Sequence, residues 1–112
     1  MCCSRSLILL LLFMTGCGSA RRGVPLYGPM EMKDSDAVRG EQVFMSHCNS
    51  CHPRGEAGIG FALNNKWLPD WAIRTQVRVG VGAMPGFSEE IISDRELEDI
   101  IAYLDYMRDR KP

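Results

Sequence analysis

His47-Cys48-Asn49-Ser50-Cys51-His52 is the stretch from which the rest of the chain is read. Two thiols at this spacing on one turn of chain can reach the two vinyl groups of a single porphyrin. The residue after the second thiol then falls over the iron. Cys-x-x-Cys-His is the attachment pattern for c-type haem. Cys48 and Cys51 are therefore expected to form its two thioethers and His52 to be an axial iron ligand. The other ring nitrogen of His52 is expected to donate to a backbone carbonyl, which fixes the tautomer. His47 reads as a helix-surface or packing residue.

Two other readings of the cysteines fit less well. A structural zinc ion wants four ligands. Cys48, Cys51 and His52 offer at most three, and adjacent Cys51 and His52 rarely share one small ion. His47 is the other histidine, and there is no second Cys-x-x-Cys. A redox-active dithiol belongs in a βαβ setting, and no convincing strand pair is visible.

The start of the chain supports the haem reading. Arg5 is followed by Leu7 to Met14, an apolar run of eight. Spanning a bilayer takes roughly 20 residues, so this run reads as the core of an export signal. Haem is attached to such proteins after export. Met14-Thr15-Gly16-Cys17 resembles a lipobox, with Met14 where leucine is usual. The resemblance implies cleavage before Cys17 and acylation of that cysteine, against the alternatives of ordinary secretion or an uncleaved anchor. Cys2 and Cys3 belong to the removed segment, so each cysteine has a use other than a structural disulfide. Gly18 lacks the aspartate that favours inner-membrane retention, which leans toward the outer membrane, at its periplasmic face.

Residues 1–16 are thus assigned to the signal, 17–34 to a lipidated N-terminus and tether, and 35–112 to one domain. Arg21, Arg22, Gly23, Pro25, Gly28 and Pro29 break any periodic pattern in the tether. Fully extended, it would let the domain swing on the order of 50 Å from a membrane. Arg21 and Arg22 suit acidic head groups or are simply solvated. Without Arg5 the balance is 12 basic against 14 acidic side chains, net −2. That gives no basic face for nucleic acid. A domain of this size has a marginal core, to which a buried porphyrin would add apolar contact.

Three helices are predicted. The first runs from about Asp36 to Ser46, capped by Asp34 or Ser35, with Ala37, Gly40, Val43, Phe44 and His47 on one face. Gly40 is unfavourable in a helix unless another backbone or ring comes close. The second covers about Asp70 to Val79, capped by Asp70 and ended by Gly80 and Gly82. The third opens with Ser93-Asp94-Arg95-Glu96, a capping box. It carries Leu97, Ile100, Ile101, Leu104 and Met107 as an apolar stripe, with Tyr103 beside it. The fold is expected to be all-α.

The sixth iron ligand must come from elsewhere. A thioether suits ferrous iron and raises its potential. Met84 and Met107 are the methionines after His52. Met107 lies on the core stripe, whereas Met84 sits in Gly80-Val81-Gly82-Ala83-Met84-Pro85, a loop between helices. Met84 is the expected ligand.

From about Asp36 to Arg108 the chain resembles the class I cytochromes c, the small bacterial monohaem group. The residues that carry this are Gly40 and Phe44, then Cys48 to His52, then Ala83-Met84-Pro85, then Ala102-Tyr103-Leu104. The resemblance implies three to four helices wrapped around one covalent haem c. It also implies a crossing of the first and last helices that sets Gly40 and Phe44 against Tyr103. In that family a proline in the glycine-rich loop often supplies the carbonyl for the haem histidine. Phe61 stands at that place, within Gly58-Ile59-Gly60-Phe61-Ala62-Leu63, and leaves the acceptor open. Trp67 or Trp71 could meet a propionate or simply pack around the haem. Arg74 could pair with a propionate or lie on a solvated face. Leu63, Leu68, Ile73, Val77 and Phe87 are expected pocket hydrophobes.

The function expected is single-electron transfer between redox partners at a membrane surface, by a monomer and not an enzyme. The alternative is a dedicated electron-transfer subunit of a larger oxidoreductase. A gas sensor or peroxidase would require Met84 to leave the iron or never bind it.

Overall fold

The computed structural model describes residues 31–109. The expected export signal, Cys17 and most of the expected tether lie outside the described residues. Helix α1 is Ser35–His47, α2 is Asp70–Val79 and α3 is Asp94–Asp109. A single 3₁₀ turn, Pro53–Gly55, follows the Cys-x-x-Cys-His run. Among the described residues the β-type pairing is one isolated bridge, Val81 to Met84. The expected all-α class holds.

Each helix start has a local cause. At α1 the Asp34 carboxylate accepts from the Asp36 amide at 2.9 Å, satisfying one of the orphan donors of a first turn. At α3 the capping box closes in both directions. The Ser93 amide donates to Glu96 at 2.8 Å, and the Glu96 amide donates to the Ser93 hydroxyl at 3.3 Å. At α2 the expectation is corrected. Asp70 is already the first helical residue, and extended Pro69 precedes it with no side-chain cap. The Pro69 carbonyl accepts from Ala72 and Ile73 at 2.9 and 3.2 Å, so the turn closes on backbone alone.

Helices α1 and α3 cross at Gly40. A Cβ built there would fall inside the contact shell of the Asp99 carbonyl and 3.0 Å from the Ile100 nitrogen. The missing side chain is what lets the two backbones touch, which explains a residue with poor helix propensity at this point. One turn on, the Phe44 and Tyr103 rings meet with centroids 5.3 Å apart and planes tilted by 57°. Both rings are fully buried. Burying a side chain of this size contributes about 1.5–3 kcal/mol. The expected crossing is therefore present.

The crossing also holds an ion pair that the apolar stripe did not suggest. Asp99 is buried on α3, and Arg39 of α1 grips its two oxygens through Nε and Nη2, each at 2.9 Å. Arg39 also binds Asp36. Hydrogen bonds to Asp99 first, then Asp36, raise the Arg39 pKa above its ordinary value. Without this fork Asp99 would be an uncompensated charge inside the domain.

Helix α2 leans on the same core. Ile73 and Val77 join Phe44, Ile92, Leu97, Ile100, Ile101, Tyr103, Leu104 and Met107 in one cluster. Arg74 makes a two-pronged pair with Glu98 of α3, at 2.7 and 2.6 Å. Its guanidinium is thus engaged by a carboxylate of this chain.

Candidate functional site

The Cys-x-x-Cys-His run is a continuation of α1. The amides of Cys48 and Asn49 both donate to the Phe44 carbonyl, at 2.8 and 3.0 Å, while those of Cys51 and His52 donate to Cys48, at 3.1 and 2.9 Å. The chain therefore keeps turning after the helix ends. Asn49 then fixes the exit. Its side-chain oxygen accepts from the Arg54 amide at 2.9 Å, and Arg54 holds a left-handed conformation, φ 54°, that L-residues rarely adopt. Gly55 continues it at φ 72°, and its carbonyl accepts from Leu63 at 2.7 Å. Asn49 carries no cofactor-binding signature of its own in the sequence. Its one legible signal was an asparagine beside a required turn.

Cys48 and Cys51 carry separate thiols. Cys48 is half-buried against the core cluster. Burial, with a smaller contribution from Cys51, pushes its pKa up to about 11.

The loop that follows wraps His52. The Gly60 amide donates to the Cys51 carbonyl at 2.9 Å, and a Cβ on Gly60 would overlap the His52 ring, 2.6 Å from Nδ1 and 2.7 Å from Nε2. Next along the chain, the Phe61 carbonyl lies 2.8 Å from Nδ1 of His52. A carbonyl only accepts, so Nδ1 is the donor, and in the neutral ring the lone pair then lies on Nε2. The acceptor left open by the sequence is thus the backbone of Phe61, and proline is not needed for it. The Phe61 ring itself is exposed, with the Lys66 ammonium 5.0 Å from its centroid.

Met84 lies in the loop that follows α2. Gly80 closes the helix with its amide on Gln76 at 2.8 Å, and Val81 and Met84 then exchange two backbone hydrogen bonds at 3.1 and 3.0 Å. The Met84 side chain is half-buried and packs against the same core cluster as Cys48. Leu63, Leu68 and Phe87 do likewise, whereas Ile73 and Val77 lie deeper, as members of the cluster itself. Met107 is buried under Gly55, whose Cβ would stand 3.0 Å from its Cε. His47 is exposed, its ring edge-on to Phe87 at 6.0 Å. Trp67 and Trp71 are 79% and 69% exposed. Neither is part of the buried core cluster.

The donor set and its surroundings fit a covalent haem. Two free thiols sit on one turn, an imidazole presents a lone pair at Nε2, and a thioether leans on the same apolar cluster. Among the described residues there is no grouping of three or more histidine, cysteine, aspartate or glutamate side chains suited to a bare metal ion. No helix of the described residues is long and apolar enough to cross a membrane.

Comparison with known proteins points the same way. A family model described as cytochrome C oxidase, cbb3-type, subunit III matches residues 35–104. Cytochrome c6 of Gloeothece citriformis is 38% identical over 77 residues, spanning 62% of this chain and 69% of that protein. Cytochrome c6 of Cyanidioschyzon merolae is 33% identical over 78 residues, spanning 62% and 73%. The 4-cresol dehydrogenase [hydroxylating] cytochrome c subunit of Pseudomonas putida is 34% identical over 71 residues, spanning 63% of this chain and 62% of that subunit. No solved structure matches the chain at a significant level.

Proposed function

The chain belongs to the class I c-type cytochromes, single-electron carriers with one covalent haem c, and we propose that Cys48 and Cys51 hold that haem while His52 and Met84 bind its iron. The haem supplies a couple that gains and loses one electron. The protein's part is to hold, tune and shield it. The Phe61 carbonyl fixes the His52 ring and raises the basicity of its free nitrogen. Met84 offers a soft sulfur donor, which favours the reduced state and raises the potential. Leu63, Leu68 and Phe87 keep water from the site.

The observation that carries this reading is the His52–Phe61 hydrogen bond. In the neutral ring it places the one lone pair on Nε2, the nitrogen that would bind the iron. With Met84 as the second ligand no coordination position remains for a substrate, so the protein carries electrons and is not an enzyme. We assign residues 1–16 to an export signal, acylated Cys17 and the residues to 34 to a membrane tether, and the remainder to the haem domain. The carrier then works in the cell envelope, on the periplasmic face of a membrane, with the outer membrane favoured. Its donor and acceptor are other redox proteins, met through small transient interfaces.

A second reading is that the chain serves one oxidoreductase as its dedicated electron-transfer subunit. The likeness to the cytochrome subunit of 4-cresol dehydrogenase favours it. Purification under mild detergent separates the two: a free carrier emerges as a monomer, a subunit brings its enzyme with it.

Carbon monoxide added to the reduced protein tests the proposal against a gas sensor or peroxidase. No binding at neutral pH is expected, because Met84 occupies the position. Rapid binding would overturn the carrier assignment.

A further inference from the structure

Arg78 stands at the end of α2, two residues before the loop that carries Met84. Its side chain reaches past that loop to the chain on the far side. Nη1 donates to the Phe87 carbonyl at 3.2 Å and to the Ile92 carbonyl at 2.7 Å. Nη2 donates to Asp94 Oδ1 at 2.7 Å. The backbone closes the same gap. The Phe87 amide donates to the Val77 carbonyl at 2.8 Å, and Gly86 lies so near residue 78 that a Cβ there would stand 2.6 Å from the Arg78 carbonyl oxygen.

One residue thus holds both ends of the segment in which Met84 sits. The fork geometry matters, since a guanidinium presents several donors in one plane and can serve two carbonyls and a carboxylate together. The Arg78 side chain is 22% exposed, so its bonds to the two carbonyls are largely shielded from water, while its Asp94 partner is 76% exposed.

We propose that Arg78 is a positioning residue for the iron ligand Met84, acting as a clip that closes the ligand loop and sets how often the sulfur leaves the iron. This rests on the assignment of Met84 as ligand. A loop joined at its stems has few open conformations. Cutting the clip frees the stems to part, so the open fraction rises and any competing ligand binds more tightly in proportion.

The test is binding of imidazole to the purified, haem-loaded ferric protein, followed optically with the long-wavelength sulfur-to-iron charge-transfer band. Arg78→Ala is expected to bind imidazole about tenfold more tightly than the wild type. Arg78→Lys, with a charge but no fork, should fall between. Asp94→Asn loosens one arm of the clip at an exposed partner, and should give a smaller increase even where Arg78→Ala yields too little folded protein. Arg74→Ala breaks a comparable pair on the same helix, to Glu98, away from the loop, and should stay within about twofold of the wild type.

Unchanged imidazole affinity in Arg78→Ala and Asp94→Asn, with the band intact in the wild type, overturns the clip and leaves Met84 as ligand. An equal increase in Arg74→Ala makes the effect general loosening of α2 and also overturns it. A wild type without the band overturns the Met84 assignment, and the clip with it.

Discussion

The carbonyl oxygen of Phe61 lies 2.8 Å from Nδ1 of His52, and the absence of a side chain at Gly60 leaves the His52 ring room to reach it. The two features act together: one aims the ring and the other makes space for it. Gly60→Ala would put a methyl group into the ring, so the imidazole must turn away from Phe61. Losing that hydrogen bond lowers the basicity of Nε2, the nitrogen proposed to bind the iron. The expected result is a higher midpoint potential, read by spectroelectrochemistry, together with a lower yield of covalent haem.

Met84→Ala removes the proposed sulfur donor but leaves Cys48, Cys51 and His52 in place. Covalent haem should form as before. The potential should fall, because a thioether favours the reduced state, and carbon monoxide should bind the reduced variant rapidly. Spectra identical to the wild type in both oxidation states would remove Met84 from the iron.

At the helix crossing, Gly40→Ala sets two effects against each other. In an isolated helix alanine is favoured over glycine by about 1 kcal/mol. Here the new methyl group meets the Asp99 backbone, which cannot swing aside as a side chain end would. Overpacking of this kind costs about 1–3 kcal/mol, so the clash should win. Thermal unfolding of the haem-loaded protein should show a lower Tm.

The acid limb of stability has a local source at α3. The Ser93 hydroxyl, and then its amide, hold the Glu96 carboxyl below its ordinary range, and Arg74 does the same for Glu98. A carboxyl with a depressed folded pKa stabilises the fold above its unfolded value of about 4.3. That stability is lost as pH falls through the folded pKa. Ser93→Ala should therefore flatten the dependence of Tm on pH below about pH 5. An unchanged slope would mean that the capping box carries no such linkage.

Cys17→Ser should move the protein from the membrane fraction to the soluble periplasmic fraction, with its haem spectrum intact. Retention in the membrane would reject the lipid anchor and leave an uncleaved N-terminal segment as the attachment.

What could be read in advance divides by distance along the chain. The caps of α1 and α3 involve residues two and three apart, and both are visible in the sequence as Asp34 with Asp36 and Ser93 with Glu96. The haem pattern is likewise local, at Cys48, Cys51 and His52. Gly40 could be flagged because its helix propensity conflicts with its place, though its neighbour came only from a family resemblance. The Arg39–Asp99 fork joins residues 60 apart, and nothing in either local pattern pairs them. Arg74 read as a free or propionate-binding cation for the same reason, since its partner Glu98 lies on another helix. The acceptor for His52 is not legible in the sequence because a backbone carbonyl has no side-chain signature. Any residue can supply one, and Phe61 does.

The central claim, a covalent haem with His52 and Met84 both on the iron, is tested most directly by the visible spectrum of the purified protein, oxidised and then reduced. Reversible low-spin spectra are expected, with a sulfur-to-iron charge-transfer band in the oxidised form that disappears on reduction. A high-spin spectrum, or an oxidised form without that band, would contradict it.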